Sequence, residues 1–294
     1  MRTPELAHRW FAGRTAAQLV AAAALLIALA GNWNPASAQQ PQPQQQEPVT
    51  IENATLETVD QLAEHPLKPS LKLALRAEQT LLKVKDYSAV FIKRERVDGE
   101  LSEHQHLFCK IRHDPFSVYF YFLAPEASKG KEAIYVEGRN NGNLWGHGVG
   151  LQRTLVGTIS LNPTSSWAMD GNRYPITDAG ILNLARKCVR SCKREMPYGE
   201  CEVKFFSGAK VDGRPCTMIQ TTHPLPRREF TNHLARLYID DEWGIPVRSE
   251  TFDWPAQQGG EPILTGEYTF TKLKFNNGFT DTDFDIKNPD YSFP

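Results

Sequence analysis

The chain has 294 residues, 40% of them hydrophobic and 10% aromatic, so it is long enough to bury a core and too apolar to stay disordered. Its 33 Lys and Arg stand against 34 Asp and Glu, which argues against a nucleic-acid binder held by a broad positive field. Only one stretch is apolar enough to meet a membrane, and this excludes a polytopic membrane protein.

That stretch lies at the N-terminus and reads as a secretory signal over residues 1–38. Arg2, Arg9 and Arg14 supply a positive region, residues 16–30 are uncharged and apolar, and Ala36-Ser37-Ala38 supplies a small-residue cleavage pattern. The expected product is exported to the periplasm or cell envelope after a cut near Ala38. The alternative is a retained anchor, which the short apolar run disfavours. Cleavage leaves a mature chain with a net charge of about −3. Residues 39–50 are rich in Gln and Pro and read as a disordered linker.

The body, residues 51–294, reads as one domain. A weak helical pattern covers 54–64, and a stronger one covers 70–85, where Ser70 is placed to cap. From Tyr87 the pattern becomes strands joined by tight turns. Residues 87–97 and 101–113 flank Asp98-Gly99, the sequence form of a type I′ hairpin. After Pro115 comes a very aromatic strand, 116–123, and then a hairpin over 133–147 turning at Asn140-Asn141-Gly142. Residues 151–176 show no periodicity and read as a long loop. A helix follows near 178–195, with Asp178 at its positive end. The remaining strands are 203–211, 215–223, 234–240, 247–254, 265–275 and 280–284, turning at Asp212-Gly213, Trp243-Gly244 and Asn277-Gly278. Sequential hairpins without strand–helix–strand alternation argue for an antiparallel α+β fold with helices covering one face.

Five cysteines survive cleavage: Cys109, Cys188, Cys192, Cys201 and Cys216. In an oxidising compartment the last four are candidates for up to two bridges, with Cys109 left over.

A resemblance rests on "YSAVFIKRERVDGEL", "DPFSVYFYFLAP", "EAIYVEG" with "NGNLWGHG", and "ARLYIDDEWGIPVRSETFDW" with "YTFTKLKFNNGFTDTDFD". In this order the segments resemble a bacterial secreted family catalogued as domain of unknown function 1571. More distantly they resemble the periplasmic lipoprotein carriers of the Lol type. The likeness covers residues 70 to about 290, its most specific piece being Ile239-Asp240 with Gly244-Ile245-Pro246. It implies an open antiparallel half-barrel with helices as a lid over an apolar cavity. None of its motifs is catalytic, and no family functional residue is carried over.

Catalytic signatures are absent: there is no nucleophile elbow, no H-E-x-x-H, no P-loop and no dinucleotide turn. No cofactor or metal is expected. His104 and His106 share one strand face, but Cys109 has the opposite parity. Asp240-Asp241-Glu242 and Asp281, Asp283, Asp285 lack the EF-hand spacing.

The informative signal is aromatic. In 116–123, Phe116, Val118, Phe120 and Phe122 occupy one face and Tyr119 and Tyr121 the other, so both faces must be covered. Phe120, Phe122, Trp145, Phe252 and Trp254 are the candidate lining of an apolar cavity. Arg186, Lys187, Arg190, Lys193 and Arg194 crowd one side of the inserted helix and form a candidate contact for an anionic membrane surface or an acidic protein partner. The leading expectation is a non-enzymatic carrier of a lipid or acylated ligand. Its alternatives are an envelope interaction module without a cavity, and a hydrolase using clustered carboxylates or His104 and His106.

Overall fold

β-branched and aromatic runs interrupted by tight turns place nearly every strand beside its sequence neighbour. The computed structural model describes residues 49–294; the signal segment, and the linker up to residue 48, lie outside the described residues. After a 3₁₀ turn at Val59–Gln61 comes helix α1 (Lys68–Leu81). Strands β1 (Asp86–Val97), β2 (Glu100–Leu101), β3 (Gln105–His113), β4 (Phe116–Ala124), β5 (Glu132–Val136) and β6 (Leu144–His147) follow. Then come α2 (Leu151–Val156), β7 (Ile159–Leu161), α3 (Ser166–Met169) and α4 (Ile181–Glu195). The last strands are β8 (Glu202–Val211), β9 (Arg214–Thr222), β10 (Leu234–Asp240), β11 (Pro246–Asp253) and β12 (Ile263–Phe275).

The strands form one antiparallel sheet in the order β7-β6-β5-β4-β3-β1-β12-β11-β10-β9-β8, with β2 turned back onto β1. β7 and β8 are edges, so the sheet does not close: it is an open half-barrel. The hairpin turns are those the sequence demands. Asp98 and Gly99 sit at φ 51° and 84°, and Asp212 and Gly213 at 52° and 77°, which is the type I′ pattern. The Ile239…Pro246 motif is a structural turn. Asp240, 1% exposed, accepts from the amides of Glu242 (3.0 Å) and Trp243 (2.9 Å) and from Arg214 (3.0 Å), while Gly244 takes φ 66°.

Helices α1 and α4 cover the concave face. Ala77 and Leu81 of α1 and Ile181, Leu182 and Ala185 of α4 pack on Tyr87, Cys109, Ile111, Val118 and Phe270. A second cluster joins Leu71, Ala74 and Leu75 of α1 to Val189, Cys192 and Met196 and to the segment from Ala54 to Leu67. The convex face of β3–β6 is covered by the C-terminal segment, where Phe284 packs with Tyr119, Ile134 and Val136.

Four local expectations change. The pattern over 54–64 gives only a 3₁₀ turn at Val59–Gln61, and Thr58 Oγ1 accepts the Thr55 amide (2.9 Å) just before it. α1 starts two residues before Ser70, so Ser70 lies inside the helix and Leu67 is the N-cap. The aperiodic 151–176 stretch contains α2, β7 and α3. Residues 281–284 form a 3₁₀ turn instead of a strand, fixed by a capping box between Thr280 and Asp283.

Candidate functional site: a cavity under the lid helix

Strand parity builds the concave wall. Phe91 of β1 pairs with Leu107 of β3 and Phe270 of β12, Leu107 pairs with Phe122, and Cys109 with Phe120. These side chains therefore share a face. Phe91 stacks on Phe270 at 4.7 Å and on Phe120 at 6.1 Å between centroids. Opposite them, α4 and the segment from Ala168 to Gly180 form a lid. Between lid and sheet lies a cavity of about 530 Å³, lined by Phe91, Leu107, Phe120, Phe122, Leu144 and Phe270 among others. That volume falls within the ~300–1,000 Å³ of ordinary small-molecule sites. A smaller cavity of about 250 Å³ lies beyond the start of α4, between His113, Tyr135 and Arg186.

Two polar stations interrupt the apolar wall of the larger cavity. In the first, Lys93 donates to Glu95 Oε2 (2.6 Å) and to Asn172 Oδ1, and the Tyr268 hydroxyl donates to Glu95 Oε1 (2.7 Å). Burial, then the Glu95 charge, pushes the Tyr268 phenol far above its ordinary value, so it stays protonated. The second station lies at the end of α4. His223 Nδ1–H donates to the Asn232 carbonyl (3.1 Å), leaving Nε2 3.5 Å from Glu195 Oε2. Burial raises Glu195 despite Arg194 beside it, and burial lowers His223. Both therefore lean towards their neutral forms. Nearby, burial pushes the Cys188 thiol up to about 12 and Cys192 well above its usual value. Protonated, buried thiols are poor nucleophiles.

The aromatic candidates divide. Phe120 and Phe122 line the cavity. Trp145 pairs with Ile134 on the opposite, convex face and packs with the C-terminal segment, because residues 144 and 145 alternate across the strand. Phe252 shares the convex face with Arg236, whose guanidinium lies 5.3 Å from its ring. Trp254 lies past the end of β11 against His233. None of these three lines the cavity. Phe91, Phe270, Lys93 and Glu95 went unselected in sequence, although period-2 alternation from Phe91 already aligns 91, 93 and 95.

The basic face of α4 is largely engaged within the chain. Arg186 binds Glu78 (3.2 Å), Lys193 donates to the carbonyls of Glu52 and Ala54 (2.8 Å each), and Arg194 to that of Glu229 (2.8 Å). Lys187 lies over the Tyr174 ring, and both Lys187 and Arg190 line the cavity. The cysteine bridges require correction: all five cysteines are free thiols. Cys188, Cys192 and Cys201 gather around the end of α4, whereas Cys216 lies in the separate concave core with Cys109.

The carboxylates set aside for hydrolysis hold structure together. Asp240 caps its turn, Asp281 binds Arg112 (2.9 Å), and Asp283 binds Lys110 (2.8 Å). His104 Nε2 stands 3.6 Å from Glu267 on the convex face. Among the described residues no three His, Cys, Asp or Glu side chains are grouped to hold a metal ion.

A family described as a protein of unknown function, DUF1571, matches residues 84–293. The chain belongs to that family. Among solved structures the DUF1571 chain is similar to the lipoprotein LppX of Mycobacterium tuberculosis, at 14% identity over 74% of this chain and 99% of that one, with a TM-score of 0.41. It is also similar to a DUF1329 family protein from Desulfovibrio piger, at 13% identity over 76% and 98%, with a TM-score of 0.38. A LolA superfamily protein from Nitrosomonas europaea is similar at 9% identity over 76% and 98%, with a TM-score of 0.31. No curated protein matches this chain.

Proposed function

We propose that this protein is a non-enzymatic binder or carrier of an apolar ligand, a lipid or an acylated molecule, working in the cell envelope. The observation that supports it is the cavity of about 530 Å³ under α4, with Phe91, Phe120, Phe122 and Phe270 on its wall. A filled core would leave no such volume at that position. The thiols beside it are protonated and the nearby Glu–His pair leans neutral, an arrangement suited to holding apolar matter rather than to nucleophilic attack. The export signal over residues 1–38 supports the envelope location, and among the described residues no helix is long and apolar enough to cross a membrane.

The test is mass spectrometry of organic extracts from protein purified without detergent from its native envelope. A stoichiometric acyl compound, lost in Phe120→Glu or Phe122→Glu and kept in Phe252→Glu, is the expected result. Equal retention in all three variants would place the ligand elsewhere and sink the reading.

A second reading, an envelope interaction module, draws on α2. Leu151, Leu155 and Val156 are 78%, 79% and 56% exposed on one short helix, a patch that water alone does not favour. Its mark would be a partner lost in Leu155→Asp while the cavity variants keep it.

A further inference from the structure

The charges that reach the cavity fall into two sets. Off the lid and at the end of α4 they are compensated: Lys93 is ion-paired with Glu95, Arg236 with Glu250, and Glu195 with Arg194. Along the lid they are not. Lys187 and Arg190 stand three residues apart on α4 and both line the cavity, the spacing that makes helix neighbours. Neither has a carboxylate partner among the described residues. Lys187 rests 3.4 Å from the centroid of Tyr174, and Arg190 is exposed. Of the four acids on the same lining, Glu95, Glu195 and Glu250 each have a cation of their own, and Asp178 lies before the opposite end of α4. The other three cations of this helix are tied to Glu78, to carbonyls of the N-terminal segment and to the Glu229 carbonyl. An apolar interior therefore borders two cations that nothing in the described chain neutralises.

We infer that the cavity takes an anionic amphiphile, its carboxylate or phosphate head between Lys187 and Arg190 and its chain against Phe91, Phe120 and Phe122. This rests on the cavity reading above and adds the class of head group. A charge-assisted contact to a guanidinium or ammonium at a partly desolvated rim is strong enough to order the ligand, and the apolar wall holds the chain.

Equilibrium dialysis of the full chain tests this with three labelled probes: oleate, 1-oleoyl lysophosphatidate and methyl oleate. Both anions should be retained about tenfold better than the uncharged ester. A Lys187→Gln/Arg190→Gln variant should lose that preference and keep its methyl oleate binding, since neither side chain belongs to the core. Lys204→Gln, on the edge strand β8 and away from the cavity lining, controls for net charge and should change nothing. Equal retention of all three probes by the unaltered protein would overturn the anionic head and leave the cavity reading standing. A preference that survives in the double variant would overturn the assignment to these two residues. Retention of no probe would sink the cavity reading, and this inference with it. The ratio of oleate to lysophosphatidate binding separates a carboxylate from a phosphate head.

Discussion

The two arms of the sheet meet water differently on their convex side. On β3–β6 the C-terminal segment covers the face with Phe279, Phe284, Tyr291 and Phe293. On β10–β12 the same face carries Arg236, Arg248, Glu250 and Glu267, linked by ion pairs at 2.8–3.4 Å, and Tyr238, whose hydroxyl donates to Glu250 (3.2 Å). The concave side of both arms lies under the same helices. The difference explains why β4 is apolar on both faces: its Phe side looks into the cavity and its Tyr side is the seat of the C-terminal segment. Tyr119 stacks on Tyr291 at 4.0 Å and 5°. A polar anchor adds to this contact. Glu132, whose side chain is 1% exposed, accepts from the Ser292 amide (2.7 Å) and the Tyr119 hydroxyl (2.9 Å) and faces His147.

The largest expected effect follows from that covering. Phe284→Ala deletes a ring that is 1% exposed and should cost about 3–5 kcal/mol in urea unfolding. Phe252→Ala, on the bare arm, should cost about 1 kcal/mol or less, its ring being half-buried beneath Arg236. Equal costs would mean that the C-terminal segment contributes little and would erase the distinction between the arms.

Next comes Glu132→Gln, which keeps the shape and removes the charge from two hydrogen bonds in a buried place. A loss of about 1.5–3 kcal/mol is expected by the same measurement. The anchor also sets a pH dependence. Burial works to raise Glu132, but His147, the Ser292 amide and Tyr119 outweigh it and hold the carboxyl below 4.5. Asp283 is likewise held below 3.8, by Lys110 and the Thr280 amide against its burial. A depressed carboxylate stabilises fully above its unfolded pKa and loses that contribution as pH falls through the folded value. The protection factor of the Ser292 amide, taken relative to intrinsic exchange at each pH, should therefore be level near neutrality and fall as the pH drops below about 4.5. In Glu132→Gln that fall should shrink.

The sheet was legible because its signals are local. Asp-Gly turns and alternation place β1, β4 and β8 to β12 within a residue or two of their observed bounds. The C-terminal segment was not legible, since "NNGFTDTDFD" carries a hairpin turn and alternation, yet Asp283 folds back on Thr280 to close a 3₁₀ turn. Half of the cavity wall followed from β4 alone. The other half, Phe91 and Phe270, required knowing that β12 returns beside β1, a pairing across more than 170 residues that no local pattern encodes. Trp145, Phe252 and Trp254 misled because aromatic character says that a residue is covered, not which face covers it. The basic side of α4 divides for a related reason: Arg186, Lys193 and Arg194 are held within the chain, and Lys187 and Arg190 line the cavity. Sequence shows where the charges lie on a helix, and only the fold brings up Glu78 and the carbonyls of residues 52 and 54 to meet them.

The smallest effect tests the bare arm itself. Glu250 and Glu267 are direct cross-strand partners, and Arg248 lies between them, 2.8 Å from each carboxylate. An ion pair at a partly exposed site contributes about 0–1 kcal/mol, so Arg248→Ala alone should cost roughly that much. Its loss also leaves two like charges face to face, which adds a penalty of similar size. A double-mutant cycle separates the two terms. If repulsion dominates, Glu267→Gln placed in the Arg248→Ala background should restore most of the lost stability, and in the unaltered protein it should restore none. If the cycle closes with no coupling, the charges of this arm are simply solvated, and its convex face owes its exposure to the absence of a covering segment alone.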